Sequence, residues 1–293
     1  MIYDIIFIPA ITLIIWTISN SMIKNLASKI NTNDVSMIVV GAGIIPMMIG
    51  IMINPVHGIS PSILLLSSIS GILLGLGYIL FYKSLKSENL GNAGVTINIQ
   101  QIVVIVFGLF VLKENVTSFA LPGILLIIFG SILATVRKGF KVNKILIIAA
   151  AANIIWGVYY IPLTFAILSL HASPVPLLLA RIMGFFSVLL LFNFPSILRR
   201  IRSRIKIENV RGAKIASALI FSSIIAGLLD GAGNVLYAMS IQDGIIIIAG
   251  SMIALLPVTL ALTGKFIFHE KLTSMQYSGI LLSVTGAVLI AVL

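Results

Sequence analysis

An all-α membrane protein is predicted, with ten transmembrane helices arranged as two inverted five-helix repeats. Three observations predict it. The 293 residues are 59% hydrophobic and 9% charged, with a mean hydropathy of +1.19, where a soluble chain carries about 25% charged residues. Apolar runs near the ~20 residues needed to cross a ~30 Å hydrocarbon core recur ten times. One of those runs, with the polar turn before it, occurs twice.

The duplicated stretch is LKENVTSFALPGILLIIFGSILATV from Leu112, which returns as FHEKLTSMQYSGILLSVTGAVLIAV from Phe268. At a constant offset of 156, Glu114 falls on Glu270, Thr117 on Thr273, Ser118 on Ser274, Gly123 on Gly279 and Gly130 on Gly286. Such a period marks two copies of one membrane unit. The division is residues 1–137 for the first repeat, 138–144 for a linker and 145–293 for the second.

Ten segments are expected, at about 3–23, 35–53, 62–82, 93–112, 119–136, 145–169, 175–194, 215–240, 245–268 and 275–293. Segment 1 has no basic flank and no cleavage site, so it reads as a span and not a removable signal. Its Thr12, Trp16 and Asn20 are spaced by four and share a face. Segment 2 offers Gly41, Gly43 and Pro46; segment 3 has Gly71, Gly75 and Gly77, then Tyr78 and Tyr82. In segment 4, Asn98 and Gln101 share a face, and segment 5 carries the repeated glycines.

Segment 6 opens the second copy. Ile154-Ile155-Trp156 echoes Ile14-Ile15-Trp16 at an offset of 140, with Asn153, Trp156 and Tyr160 on one face. Segment 7 matches segment 2 poorly and contains Arg181. A long basic loop, 195–214, takes the offset from 140 to 156. In segment 8, Gly227, Gly231 and Gly233 echo Gly71, Gly75 and Gly77, while Asp230, Asn234 and Tyr237 share a face. Segment 9 has Ser251 and Pro257, the latter matching Gln101, and segment 10 is the second glycine helix. Five crossings per copy is odd, so the second copy enters from the opposite side. Repeats related in this way support alternating access around a central site at their interface.

The formal charge of +11 raises the question of nucleic acid, and its placement answers it. Seventeen of nineteen Lys and Arg fall after the odd-numbered segments or, for Lys265, in the last turn of one, including the cluster 199–204. That is a topology signal, placing those loops in the cytoplasm and both termini outside. No dinucleotide fingerprint, phosphate loop or zinc spacing appears, and there is no cysteine. No cofactor, metal or catalytic residue is expected. An integral membrane enzyme would need clustered His, Asp or Glu, and His171 and His269 have no partner at ligand spacing.

Ten helices in a five-plus-five repeat, with Trp16 and Trp156 and the endings Glu114–Gly130 and Glu270–Gly286, resemble the EamA family of the drug/metabolite transporter superfamily. Pro257 with Glu270 also fits that pattern. The resemblance implies a secondary transporter of the cell membrane, moving an amino acid or related metabolite, with export as the leading direction. Related branches carry sugars, sugar phosphates or nucleotide sugars. Two features depart from the family: Gln101 stands where segment 9 has its proline, and the charge bias places the termini outside instead of inside.

Arg181 and Asp230 are ionisable residues within helices. Each costs about 2.5–3.5 kcal/mol at a helix centre on insertion scales, so each must face protein or water. They suit a buried ion pair. They equally suit a site in which Arg181 grips an anion with its planar fork and Asp230 takes an amine or a coupling proton. The substrate-binding candidates are Trp16, Asn20, Tyr78, Asn98, Gln101, Trp156, Tyr160, Arg181, Asp230, Asn234 and Tyr237, with packing as the alternative for the rings and amides. Glu114 and Glu270 are expected to cap the next helix or hold its turn. The expected partners are a small-molecule substrate, the lipid bilayer and a coupling proton, with the chain acting as a monomer or homodimer.

Overall fold

The computed structural model describes residues 2–53, 55, 58–85, 90–116, 120–136, 144–190, 210–267 and 269–291. The basic cluster 199–204, Thr117, Ser118 and most of the linker lie outside the described residues. Among those described, every regular element is helical: α1 (Ile2–Ala27), α2 (Thr32–Ala42), α3 (Ile44–Ile53), α4 (Pro61–Leu85), α5 (Leu90–Phe107), α6 (Ala120–Thr135), α7 (Lys144–Leu170), α8 (Pro174–Val188), α9 (Val210–Gln242), α10 (Ile246–Ile253), α11 (Leu256–Phe266) and α12 (Ser274–Ala291).

Six helical segments are long and apolar enough to cross a membrane, and four shorter apolar helices accompany them. Large apolar side chains such as Phe7, Met52, Phe110, Phe129 and Leu281 are 62–82% exposed. A skin of this kind suits lipid and not water.

Two of the expected segments are each broken into two helices. Segment 2 breaks at Gly43, between α2 and α3, and Pro46 lies in the first turn of α3. Segment 9 breaks at Ala254 and Leu255, with Pro257 in the first turn of α11. The cause is the same in both: proline has no N–H, and its ring clashes with the carbonyl four residues back. The partner segments 4 and 7 lack a proline at the matching place, as Gln101 shows for Pro257.

Packing obeys a two-fold exchange of the repeats. α1 lies on α9 as α7 lies on α4; α2 lies on α9 as α8 lies on α4; and α1 meets α10 as α7 meets α5. The poor sequence match of segment 7 to segment 2 is resolved by contact. A Cβ on Gly75 would meet the Gly184 carbonyl, and one on Gly231 would meet that of Gly43. Gly184 therefore occupies the place of Gly43, and Arg181 that of Val40.

The duplicated glycines bring α6 and α12 backbone to backbone. A Cβ on Gly123 would lie 2.9 Å from the Gly286 carbonyl, and one on Gly130 2.6 Å from that of Gly279. Small residues let membrane helices approach this closely. The turns before these helices are duplicated too: Lys113 and His269 have φ of 55° and 54°, and Glu114 and Glu270 donate N–H to Gly108 and Gly264 at 3.1 and 3.0 Å.

Gly279→Ala is expected to lower the melting temperature in detergent, because its Cβ would strike backbone; overpacking of this kind costs about 1–3 kcal/mol. Gly50→Ala is the contrast: its Cβ would meet Pro174 at an ordinary 3.5 Å, and helix propensity favours Ala by up to about 1 kcal/mol. Equal melting shifts for the two would dismiss the close-approach account.

Candidate functional site

The break at Gly43 leaves the α2 carbonyls without their usual helical donors in the middle of the molecule. Gly43 N–H returns to the Val39 carbonyl at 3.0 Å. Arg181, on α8, supplies the rest. Its Nε donates to the Val40 carbonyl at 2.9 Å and its Nη2 to that of Val39 at 3.0 Å. A cation at a helix C-terminus also meets the negative end of the helix dipole. Gly43 must be glycine, since a Cβ there would sit 2.8 Å from Arg181 Nε and nearer still to its Nη2.

The same guanidinium reaches two other helices. Nη2 donates to Asp230 Oδ2 on α9 at 2.7 Å, and Nη1 donates to Tyr78 Oη on α4 at 2.7 Å. The Tyr78 hydroxyl donates in turn to Asp230 Oδ2 at 2.5 Å. Arg181 is fully buried, and four of its five N–H donors are taken.

On the repeat axis the indoles form a matched pair. Trp16 Nε1 donates to the Asp230 carbonyl and Trp156 Nε1 to the Leu74 carbonyl, each at 3.3 Å. Asp230 and Leu74 are 156 residues apart, so the two bonds are the same contact in the two copies. Gly233 and Gly77 make room, because a Cβ on either would overlap the opposing indole.

A cavity opens between these groups. It holds about 630 Å³ of atom-free space including its mouth, of which about 60 Å³ admits the centre of a water-sized sphere. That is room for roughly four to six waters, so side chains must shift before a metabolite is fully enclosed. Asn20 and Ile23 on α1, Tyr82 on α4, Ile97 on α5 and Asn153 on α7 lie between mid-helix and the ends that carry the odd-numbered loops.

Of the residues singled out from sequence, Trp16, Asn20, Tyr78, Gln101, Trp156, Tyr160, Asp230 and Asn234 line this cavity. Three do not. Arg181 stands behind Tyr78 and Asp230. Asn98 bonds Ser131 Oγ on α6. Tyr237 packs behind the rings of Trp16 and Tyr160, with centroids at 5.6 and 5.0 Å. The lining also includes Phe81, Tyr82, Gln100, Asn153 and Tyr159. Asn153 shared a face with Trp156 and Tyr160, and Tyr82 followed Tyr78 by one turn, so spacing could have found both. Nothing in the sequence marked Phe81 or Tyr159.

Glu114 reaches out of its own repeat. Its two carboxylate oxygens accept the N–H of Ile246 and Ile247, at 3.1 and 3.0 Å, at the start of α10 in the other repeat. Burial pushes its carboxyl above the ordinary range, against the two backbone bonds that lower it. Across the molecule, Glu270 lies 4.0 Å from Lys24.

The model of the EamA-like transporter family matches residues 4–136 and again 143–292. No curated protein matches the chain. A protein of known crystal structure superposes with a TM-score of 0.66 at 14% identity, covering 97% of this chain and 95% of that one. At that identity the likeness is one of fold.

Arg181→Ala is expected to destabilise strongly, by about 3–5 kcal/mol, because it leaves the buried Asp230 carboxylate without its counter-charge and takes a donor from the Val39 and Val40 carbonyls. The pair Arg181→Met with Asp230→Asn should recover part of the loss. Thermal unfolding in detergent measures both, and a wild-type melting temperature for Arg181→Ala would show the clamp to be dispensable.

Proposed function

This chain belongs to the EamA-like transporter family, and from that premise we propose that it crosses the cell membrane ten times and moves a small polar metabolite by alternating access. The observation that carries this is the matched pair of indole bonds, Trp16 to Asp230 and Trp156 to Leu74, on either side of one cavity. A cavity on a repeat axis can be served from either face when the two halves exchange conformations. Part of its lining, Asn20, Ile23, Tyr82, Ile97 and Asn153, lies toward the odd-loop ends, which the positive charge assigns to the cytoplasm.

The leading substrate is an amino acid or related compound, exported, whose amine meets Asp230. The second is a sugar of the related branches, favoured by the rings and amides of the lining. No phosphate-loop motif is present in the sequence, so the drive comes from the solute's own gradient, exchange, or an ion gradient.

A thermal-shift screen of the purified protein against amino acids, sugars, nucleotide sugars and phosphate esters should yield a hit, followed by counterflow of that solute in proteoliposomes. A ligand at 100 times its dissociation constant stabilises by about 2.7 kcal/mol. Trp156→Ala should abolish counterflow. Counterflow unaffected by Trp156→Ala would remove the cavity from the mechanism.

Orientation is open to a clean test, because the chain has no cysteine of its own. Lys29→Cys should react with an impermeant thiol reagent only from the cytoplasm, and His171→Cys only from outside. The reverse pattern would place both termini in the cytoplasm.

A further inference from the structure

We infer that the cavity is built for an organic cation rich in N–H donors, a primary amine or guanidine on an apolar or aromatic body. This rests on the cavity being the transport site. Three of its side-chain amides spend a donor on a carbonyl. Asn20 Nδ2 donates to the Trp16 carbonyl at 2.8 Å, Asn234 Nδ2 to that of Asp230 at 2.8 Å, and Asn153 Nδ2 to that of Ala149 at 2.9 Å. Asn153 Nδ2 also reaches Thr96 Oγ1 at 3.1 Å. Both indole N–H groups are bound to backbone carbonyls as well. A carbonyl can only accept, so the chemistry itself orients these amides with nitrogen inward and oxygen free.

What remains is a carboxylate and amide oxygens, beside the Gln100 and Gln101 amides and the tyrosine hydroxyls, which can donate as well as accept. Asn153 Oδ1 and Gln101 Oε1 are buried without a partner among the described residues. A buried acceptor left unmade is costly, so a donor that reached either oxygen as side chains shift would be favoured. Arg181 and Tyr78 both bind Oδ2 of Asp230, and Asp230 remains in the lining. The Tyr82 and Tyr159 hydroxyls, also without partners, can turn either way.

Charge points the same way. Among the described residues no Lys, Arg or His lines the cavity, and Arg181 is sealed behind it. A carboxylate or phosphate would meet acceptors and the negative faces of rings. An ammonium would meet a carboxylate edge, amide oxygens and the faces of Trp16, Trp156 and Tyr78, which attract cations. This narrows the substrate class to the amine end of the amino-acid reading and excludes sugar phosphates and nucleotide sugars.

The test uses the full-length protein in detergent and three primary amines, 2-phenylethylamine, putrescine and agmatine. Each is paired with its N-acetylated form, and phenylacetate and glucose 6-phosphate serve as anions. At least one amine should raise the melting temperature; its N-acetylated form should bind about tenfold or more weakly, the size of one charge-assisted hydrogen bond. Neither anion should bind. Gln101→Leu should keep or raise the melting temperature of the free protein, since it removes an unsatisfied group, while weakening the amine about tenfold. Preference for an anion, equal binding of acetylated and free amines, or no binding by any amine overturns the inference. Counterflow of whichever solute binds best in proteoliposomes then decides separately whether the transporter reading stands.

Discussion

Everything near the centre of this protein leans on one buried cation. Arg181 comes from α8 and holds the open end of α2, the hydroxyl of Tyr78 on α4 and the carboxylate of Asp230 on α9. Hydrocarbon offers no water to a severed helix, so free carbonyls at membrane depth need protein donors. A broken helix, a guanidinium and a carboxylate are each costly alone. Together they satisfy one another, and they join elements of both repeats.

That cluster is also where the two-fold fails. Exchange of the repeats would carry Asp230 to Leu74, Tyr78 to Asn234 and Arg181 to Val40. The charges therefore exist once, while the indole contacts, the glycine crossings and the turns exist twice. Duplicated parts give a frame that can adopt two related conformations. The unduplicated cluster gives the cavity a polarity, with its carboxylate on one wall and an apolar leucine opposite. A frame that is symmetric with a site that is not can present the same ligand chemistry to either face in turn.

The cost of such a site is visible in its unpaired atoms. Asn153 Oδ1 and Gln101 Oε1 are buried without a partner among the described residues, on side chains that line the cavity. Buried acceptors of this kind destabilise the empty cavity and so favour whatever brings donors to them. The glycine contacts limit where movement can occur: α6 and α12 are locked backbone to backbone, whereas the proline-broken segments offer joints at Gly43 and at Ala254.

Composition, repeat period and charge placement by themselves determined that this is a duplicated, multi-pass helical protein. These properties are additive along the chain and need no knowledge of neighbours. Spacing also placed Trp16, Trp156, Tyr78 and Asp230 on faces that do meet one cavity. It could not separate Arg181 as anchor from Arg181 as clamp, because its partners lie 49, 103, 141 and 142 residues away in sequence. Nor could it show that Glu114 serves the other repeat, or that the glycines of segment 2 and segment 7 correspond. Facing depends on how far each helix is rotated and how deep it sits against the next, and only packing sets those. The local pattern therefore determined the frame, and tertiary contact decided which polar groups are spent on holding it and which are left free for a ligand.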